Sequence, residues 1–123
     1  MANPSTGFGG AGTEVIRRAY YDGVVESEQT ILQGVANHIF TIISIIFADR
    51  SGQSDNLLSL NIDYDNGGTD LRLLTSQSTS SGTFIWNDRF ALTETDRLWA
   101  QSISAAGTGS VDVWITYIDQ QLA

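Results

Sequence analysis

Residues 38–48, "HIFTIISIIFA", are the longest apolar stretch in this chain of 123 residues. At eleven residues, interrupted by Thr41 and Ser44, the stretch is too short to cross a bilayer. Its isoleucine content reads as a buried β-strand. Strict alternation puts Ile39, Thr41, Ile43, Ile45 and Phe47 on one side and Phe40, Ile42, Ser44 and Ile46 on the other. Both sides are apolar. A strand buried on both faces is hard to satisfy inside one small monomer, so the second face is expected to meet another subunit or a partner.

Strand signals recur along the rest of the chain. Short apolar or alternating runs, bounded by Gly, Ser, Asn and Asp clusters, predict strands at about 14–21, 28–33, 38–48, 56–65, 69–76, 82–87, 95–104 and 110–118. The stretch from Asn87 to Glu94 reads as a break between two of them. In "SVDVWITYID", Val111, Val113, Ile115 and Tyr117 form a core face, while Trp114 and Ile118 suggest a second face that is at least partly covered. No run of ten or more residues has helical periodicity. The expected fold is all-β: an antiparallel two-sheet sandwich over 13–123, preceded by a flexible N-terminal arm over 1–12. Eight short strands suit the jelly roll. An immunoglobulin-like sandwich is the alternative, although its Cys–Trp–Cys core signature is missing. Pro4, Gly7, Gly9, Gly10 and Gly12 resist regular structure in the arm, and Phe8 is its possible anchor.

Charge excludes one class of partner. The chain carries 14 acidic residues against 6 basic ones, a net −8, and all the basic residues are arginine. Such a chain repels phosphate backbones and lacks basic clusters, so no direct nucleic-acid partner is expected. The absence of cysteine removes disulfides and thiolate metal sites. "MANPSTGFGGAGT" has neither the basic nor the apolar region of a secretory signal, and no membrane association is expected.

The most chemical-looking stretch is "NIDYDNGGTD", residues 61–70. An EF-hand loop fails in either register, because the twelfth position falls on Arg72 or Leu74 instead of a bidentate glutamate. The hairpin reading fits better: Leu58, Leu60, Ile62 and Tyr64 alternate with polar residues, and Leu71 and Leu73 resume beyond the glycines. A turn at Asn66-Gly67 sets Ile62 against Leu71 and Asp63 against Asp70; a turn at Gly67-Gly68 sets Tyr64 against Leu71 and Asp65 against Asp70. Either leaves facing carboxylates, relieved by solvent or by a cation at Asp63, Asp65 and Asp70. His38 is the lone histidine, no strained nucleophile motif accompanies it, and Glu94 with Asp96 lies in an apparent turn. No catalytic residues, metal or cofactor are expected. Trp86, Trp99 and Trp114 read as core or subunit-interface residues, with a sugar-stacking platform as the competing use.

The succession "TILQGVANHIFTIISIIFADRSG" (30–52), "LNIDYDNGGTD" (60–70), "GTFIWNDRFALTETDRL" (82–98) and "SAAGTGSVDVWITYIDQ" (104–120) resembles small phage virion proteins of the capsid decoration, or cement, type. That resemblance implies a jelly-roll-like sandwich, a homotrimer, a major capsid protein as partner, no enzyme activity, and a place on the capsid surface after synthesis in the host cytoplasm. Candidate contact residues for the capsid or a second subunit are Phe8, Phe40, Ile42, Ile46, Trp114 and Ile118. A short head-fibre, neck or tail-attached module binding a glycan or receptor is the alternative, with Trp99 and Asp65 as its test positions.

Overall fold

The computed structural model describes residues 12–50, 57–64, 70–79, 82–103 and 111–122. Every regular element among them is a strand: β1 (Gly12–Val24), β2 (Gln29–Gln33), β3 (His38–Asp49), β4 (Leu57–Asp63), β5 (Asp70–Ser78), β6 (Thr83–Trp86), β7 (Phe90–Leu92), β8 (Arg97–Ile103) and β9 (Val111–Leu122). They form two antiparallel sheets. One runs β1-β9-β3-β6 with β7 also on β3, and the other runs β2-β8-β4-β5.

The pairings are nested. β4 pairs β5, β3 pairs β6 and β7, β2 pairs β8, and β1 pairs β9. This is one long hairpin whose tip lies between β4 and β5. Two further ladders, β9 on β3 and β8 on β4, roll the hairpin onto itself. The result is a jelly roll, in which β6 and β7 together fill the place of one strand.

The long apolar strand has an extra residue. β9 pairs Tyr117 with Ile42 but Thr116 with Ser44, so Ile43 has no partner and forms a β-bulge. The alternation therefore switches sides in mid-strand. Phe40 and Ile42 point into the sandwich before the bulge, and Ile45 and Phe47 after it; all four are buried. This corrects the sequence expectation, which placed Phe40 and Ile42 on one outward face with Ile46. The bulge also accounts for the short strand β7 that the sequence did not reveal. β7 pairs with residues 40–42 and β6 with 45–48, leaving a gap in the ladder opposite the kink.

The core fills from both inner faces: Ile42, Ile45, Phe47, Val111, Val113 and Ile115 from the first sheet, and Leu58, Leu60, Ile62, Leu98 and Ala100 from the second. Phe40 stacks against Tyr117 at 5.0 Å between ring centroids, closing one end. At the hairpin tip Asp63 stands opposite Asp70 and Ile62 opposite Leu71, which is the register of a turn at 66–67; the turn itself lies outside the described residues. Further down, two irregularities shift the ladder so that Leu60 meets Leu74, and Ser76 takes a positive φ of 57°.

The bulge has a direct energetic consequence. Ile42→Ala and Ile45→Ala each open a cavity in the core and are expected to cost about 2–5 kcal/mol. Ile43→Ala, at the partly exposed bulge, is expected to cost less than half as much. Chemical denaturation of the three variants measures this, and equal losses at 42 and 43 would contradict the face switch.

Candidate functional site

The two sheets differ in what they turn outward. On the second sheet the outward positions of β8 and β4 are Arg97, Trp99 and Gln101 paired with Asp63, Asn61 and Ser59, with Thr30 beside Trp99 on β2. This face is mostly polar and Arg97 ties several of its side chains together, while Asp63 Oδ1 and Trp99 Nε1 are buried without a hydrogen-bond partner among the described residues. Arg97 reaches Glu28 at 2.6 Å, Thr30 at 2.9 Å and Asp63 at 3.4 Å. The hydrogen bond to Glu28, outweighing burial, raises the guanidinium's pKa further. Asp63, one of the three suggested cation ligands, thus has a cationic neighbour; Asp70 stands across from it, and Asp65 lies outside the described residues. Among the described residues no three acidic or histidine side chains are grouped to hold a metal.

The first sheet turns apolar rows outward. Tyr20 on β1, Trp114 on β9, Ile46 on β3 and Ile85 on β6 are successive cross-strand partners, so they form one row across the sheet. A second row joins Ile16, Ile118, Thr41 and Ala91. Arg18, Thr116 and Ser44 lie between the two. Ile16 is 71% exposed, Tyr20 58%, Ile85 49% and Trp114 39%. The Arg18 guanidinium sits 5.3 Å from the Trp114 ring centroid, and Tyr20 packs against the same indole at 6.1 Å. Beside them Ile16, Arg17, Arg18, Trp114, Thr116 and Tyr117 line an open depression of about 690 Å³. Exposed aromatics beside arginine are the side chains that dominate binding energy at protein interfaces.

Of the contact residues expected from sequence, Ile46, Trp114 and Ile118 lie on this face, with Ile46 directly opposite Trp114. Phe40 and Ile42 belong to the core, and Phe8 lies outside the described residues. Sequence reasoning did not find Ile16, Arg18, Tyr20 or Ile85. Their alternation is visible in "VIRRAYY" and "FIW", but only the register against β9 and β3 shows that they continue the same rows. Trp99 is 8% exposed and does not offer an open ring, which removes it as a sugar platform. Trp86 donates to the Asp88 carbonyl at 2.8 Å and meets Phe90 edge-on.

The remaining chemical candidates have structural partners. Asp96 accepts hydrogen bonds from the Thr93 backbone N–H at 2.8 Å and hydroxyl at 3.1 Å, closing the turn that holds Glu94. The Asp96 carbonyl receives the Gly34 N–H, and any Cβ at Gly34 would collide with the Thr93 carbonyl oxygen. His38 Nδ1 lies 2.6 Å from Asp119 Oδ1, and Arg17 donates to Oδ2 at 2.7 Å. Asp119 is 6% exposed and sits on β9 between β1, which carries Arg17, and β3, which carries His38. Burial pushes its carboxyl pKa up, but the hydrogen bonds and charges of His38 and Arg17 outweigh this and hold it below the usual carboxylate value.

No family model matches the sequence, and no curated protein does. Among solved structures, the chain resembles one in the acidic stable capsid structure of Helicobacter pylori bacteriophage KHP30, at 10% identity and a TM-score of 0.52, covering 89% of each chain. A pentameric capsid protein isolated from metagenomic phage sequences aligns at 18% identity and a TM-score of 0.40, covering 84% of this chain and 61% of that one. The first likeness extends over nearly the whole jelly roll.

Asp119 gives a pH dependence of defined sign. Its folded pKa is depressed, so its stabilisation is complete above the unfolded value and is lost as pH falls through the folded one. Wild type is therefore expected to exceed Asp119→Asn in stability at neutral pH by about 1–3 kcal/mol. The difference should shrink once the pH drops below the ordinary carboxylate range. Denaturation midpoints of both proteins between neutral and strongly acidic pH test this; a gap that widened in acid would contradict it.

Proposed function

We propose that this chain is a non-enzymatic structural protein of a phage virion, a cement protein that decorates the capsid surface as a homotrimer and binds the major capsid protein. The observation that carries the reading is the jelly roll shared with a phage capsid chain along 89% of both lengths. The apolar rows on the first sheet supply a surface of the right chemistry: exposed, carrying Tyr20 and Trp114, and interleaved with Arg18. The three-fold number comes from the resemblance of the sequence to cement proteins. In this reading subunits associate through Trp114, Ile46 and Ile85, while the arm of residues 1–12, with Phe8 as anchor, clamps neighbouring capsid proteins. Stabilisation of the shell then comes from added buried area, without any chemical step.

A glycan- or receptor-binding module attached to head, neck or tail is the second reading. One observation favours it: the depression beside Trp114, where an exposed indole and Arg18 could hold a sugar ring. Glycan-array binding that disappears in Trp114→Ala would shift the assignment to it.

The cement reading predicts that the purified protein sediments as a trimer at micromolar concentration and co-sediments with shells lacking it. Trp114→Glu should dissociate the trimer while leaving the monomer fold intact. Deleting residues 1–12 should abolish shell attachment and leave the fold and trimer largely intact. A monomer that ignores shells would end the proposal.

A further inference from the structure

β1 is the long edge of the first sheet. It spans 13 residues, pairs with β9 alone among the described residues, and keeps an unbroken register from Gly12 to Tyr21. Its first half is left uncovered. Residues 13–18 are all exposed on both faces of the strand, including Val15 on the inner side and Ile16 on the outer side. Only further along do Ala19, Tyr21 and Val24 pack onto the core. A regular edge that has no second strand beside it among the described residues, with apolar side chains and no proline, is a template for another strand.

We infer that the occupant is β1 of a second copy, paired antiparallel about a two-fold axis through Ile16. Registers that keep both sandwiches on one side of the joined sheet pair residues of like parity. Centred on Ile16, this pairing sets Glu14 opposite Arg18 of the other copy, twice, with Val15 opposite Arg17 and Ile16 against itself. Centring on Arg17 or Arg18 opposes two arginines, and the latter also sets Glu14 against Asp22. Centring on Val15 or Ala19 opposes no acid to a base. Centring on Tyr20 also sets Arg18 against Asp22, but it carries the pairing past the irregularity after Tyr21 and uses a carboxylate already bonded to Arg50. Charge and strand regularity together select the register centred on Ile16. The same register joins the row Thr41–Ile118–Ile16 to its symmetry mate, extending the apolar row across both subunits. The contact is isologous and closes at two copies. The three-fold association proposed above uses the face of the sheet, whereas this pairing uses its edge; where both form, trimers join through their edges, and the sedimenting species is a multiple of the trimer that the cement reading alone predicts.

The chain has no cysteine, so Ile16→Cys introduces its only thiol. Directly opposed strand residues lie about 4.5–5.5 Å apart between Cα atoms, within the span of a disulfide. Mild oxidation of the purified full chain should yield a covalent dimer from Ile16→Cys much faster than from Leu71→Cys, which is comparably exposed but on β5. Adding Glu14→Arg or Arg18→Glu to Ile16→Cys should slow trapping about tenfold, and adding both should restore it. Circular dichroism confirms that each variant folds. Trapping no faster than Leu71→Cys, or a rate indifferent to the charge swaps, overturns the pairing. Because no shell enters this assay, its outcome is independent of the capsid reading.

Discussion

The ladder between β3 and β9 carries the jelly roll, and the unpaired Ile43 within it sets the facing of everything attached. Among the described residues β3 is the one strand that pairs with three others, β9 on one side and β6 and β7 on the other. Without an extra residue, a strand of this composition would turn Phe40 and Ile42 outward wherever it turned Ile45 and Phe47 inward. The bulge resolves the conflict by letting both pairs enter the core. It also places Ile46 on the outer face, opposite Trp114, and ends β6 near Trp86. One inserted residue thereby fixes the core, the outer row and the break in the partner strand.

That dependence explains what was legible in the sequence. β9 was readable because its alternation is unbroken: Val111, Val113, Ile115 and Tyr117 are buried where period-two reasoning places them. The all-β class and the hairpin at 58–74 were readable for the same reason. β3 was misread because a bulge costs one residue of phase, and an uninterrupted apolar run gives no local mark of where the phase slips. β7, three residues long, lies below the length at which alternation is distinguishable from a loop. The outer rows were legible only in part, through Ile46, Trp114 and Ile118, and their continuation onto β1 and β6 was hidden for a different reason. Tyr20 and Trp114 are ninety-four positions apart, and nested strand order alone makes them neighbours.

The contrast between the outer faces gives the domain a direction. On the second sheet, Arg97 is shared among Glu28, Thr30 and Asp63, and Trp99 is largely covered, so little apolar area faces water there. On the first sheet, apolar side chains alternate with a row containing Arg18, whose charge already engages the indole of Trp114. Arg50 bridges Asp22 at 3.3 Å and Asp112 at 3.0 Å at the margin of that face. The chain carries a net charge of −8, yet one sheet face presents the side-chain chemistry found at protein interfaces.

The buried carboxylate of Asp119 connects this surface to the fold. An edge strand exposed on both faces has little packing of its own to keep it extended, and a frayed strand would lose conformational entropy on pairing with a partner. Arg17 on β1 and His38 on β3 both bond to Asp119 on β9, so one acidic side chain fastens three adjacent strands at the end where β1 is left uncovered. The desolvation this imposes on Asp119 is offset by two hydrogen bonds from opposite sides. The exposed half of β1 is thereby held in an extended conformation before any partner arrives. Ordering the edge in advance lowers the entropic cost of adding a strand, and that is the condition under which a short edge contact can be specific.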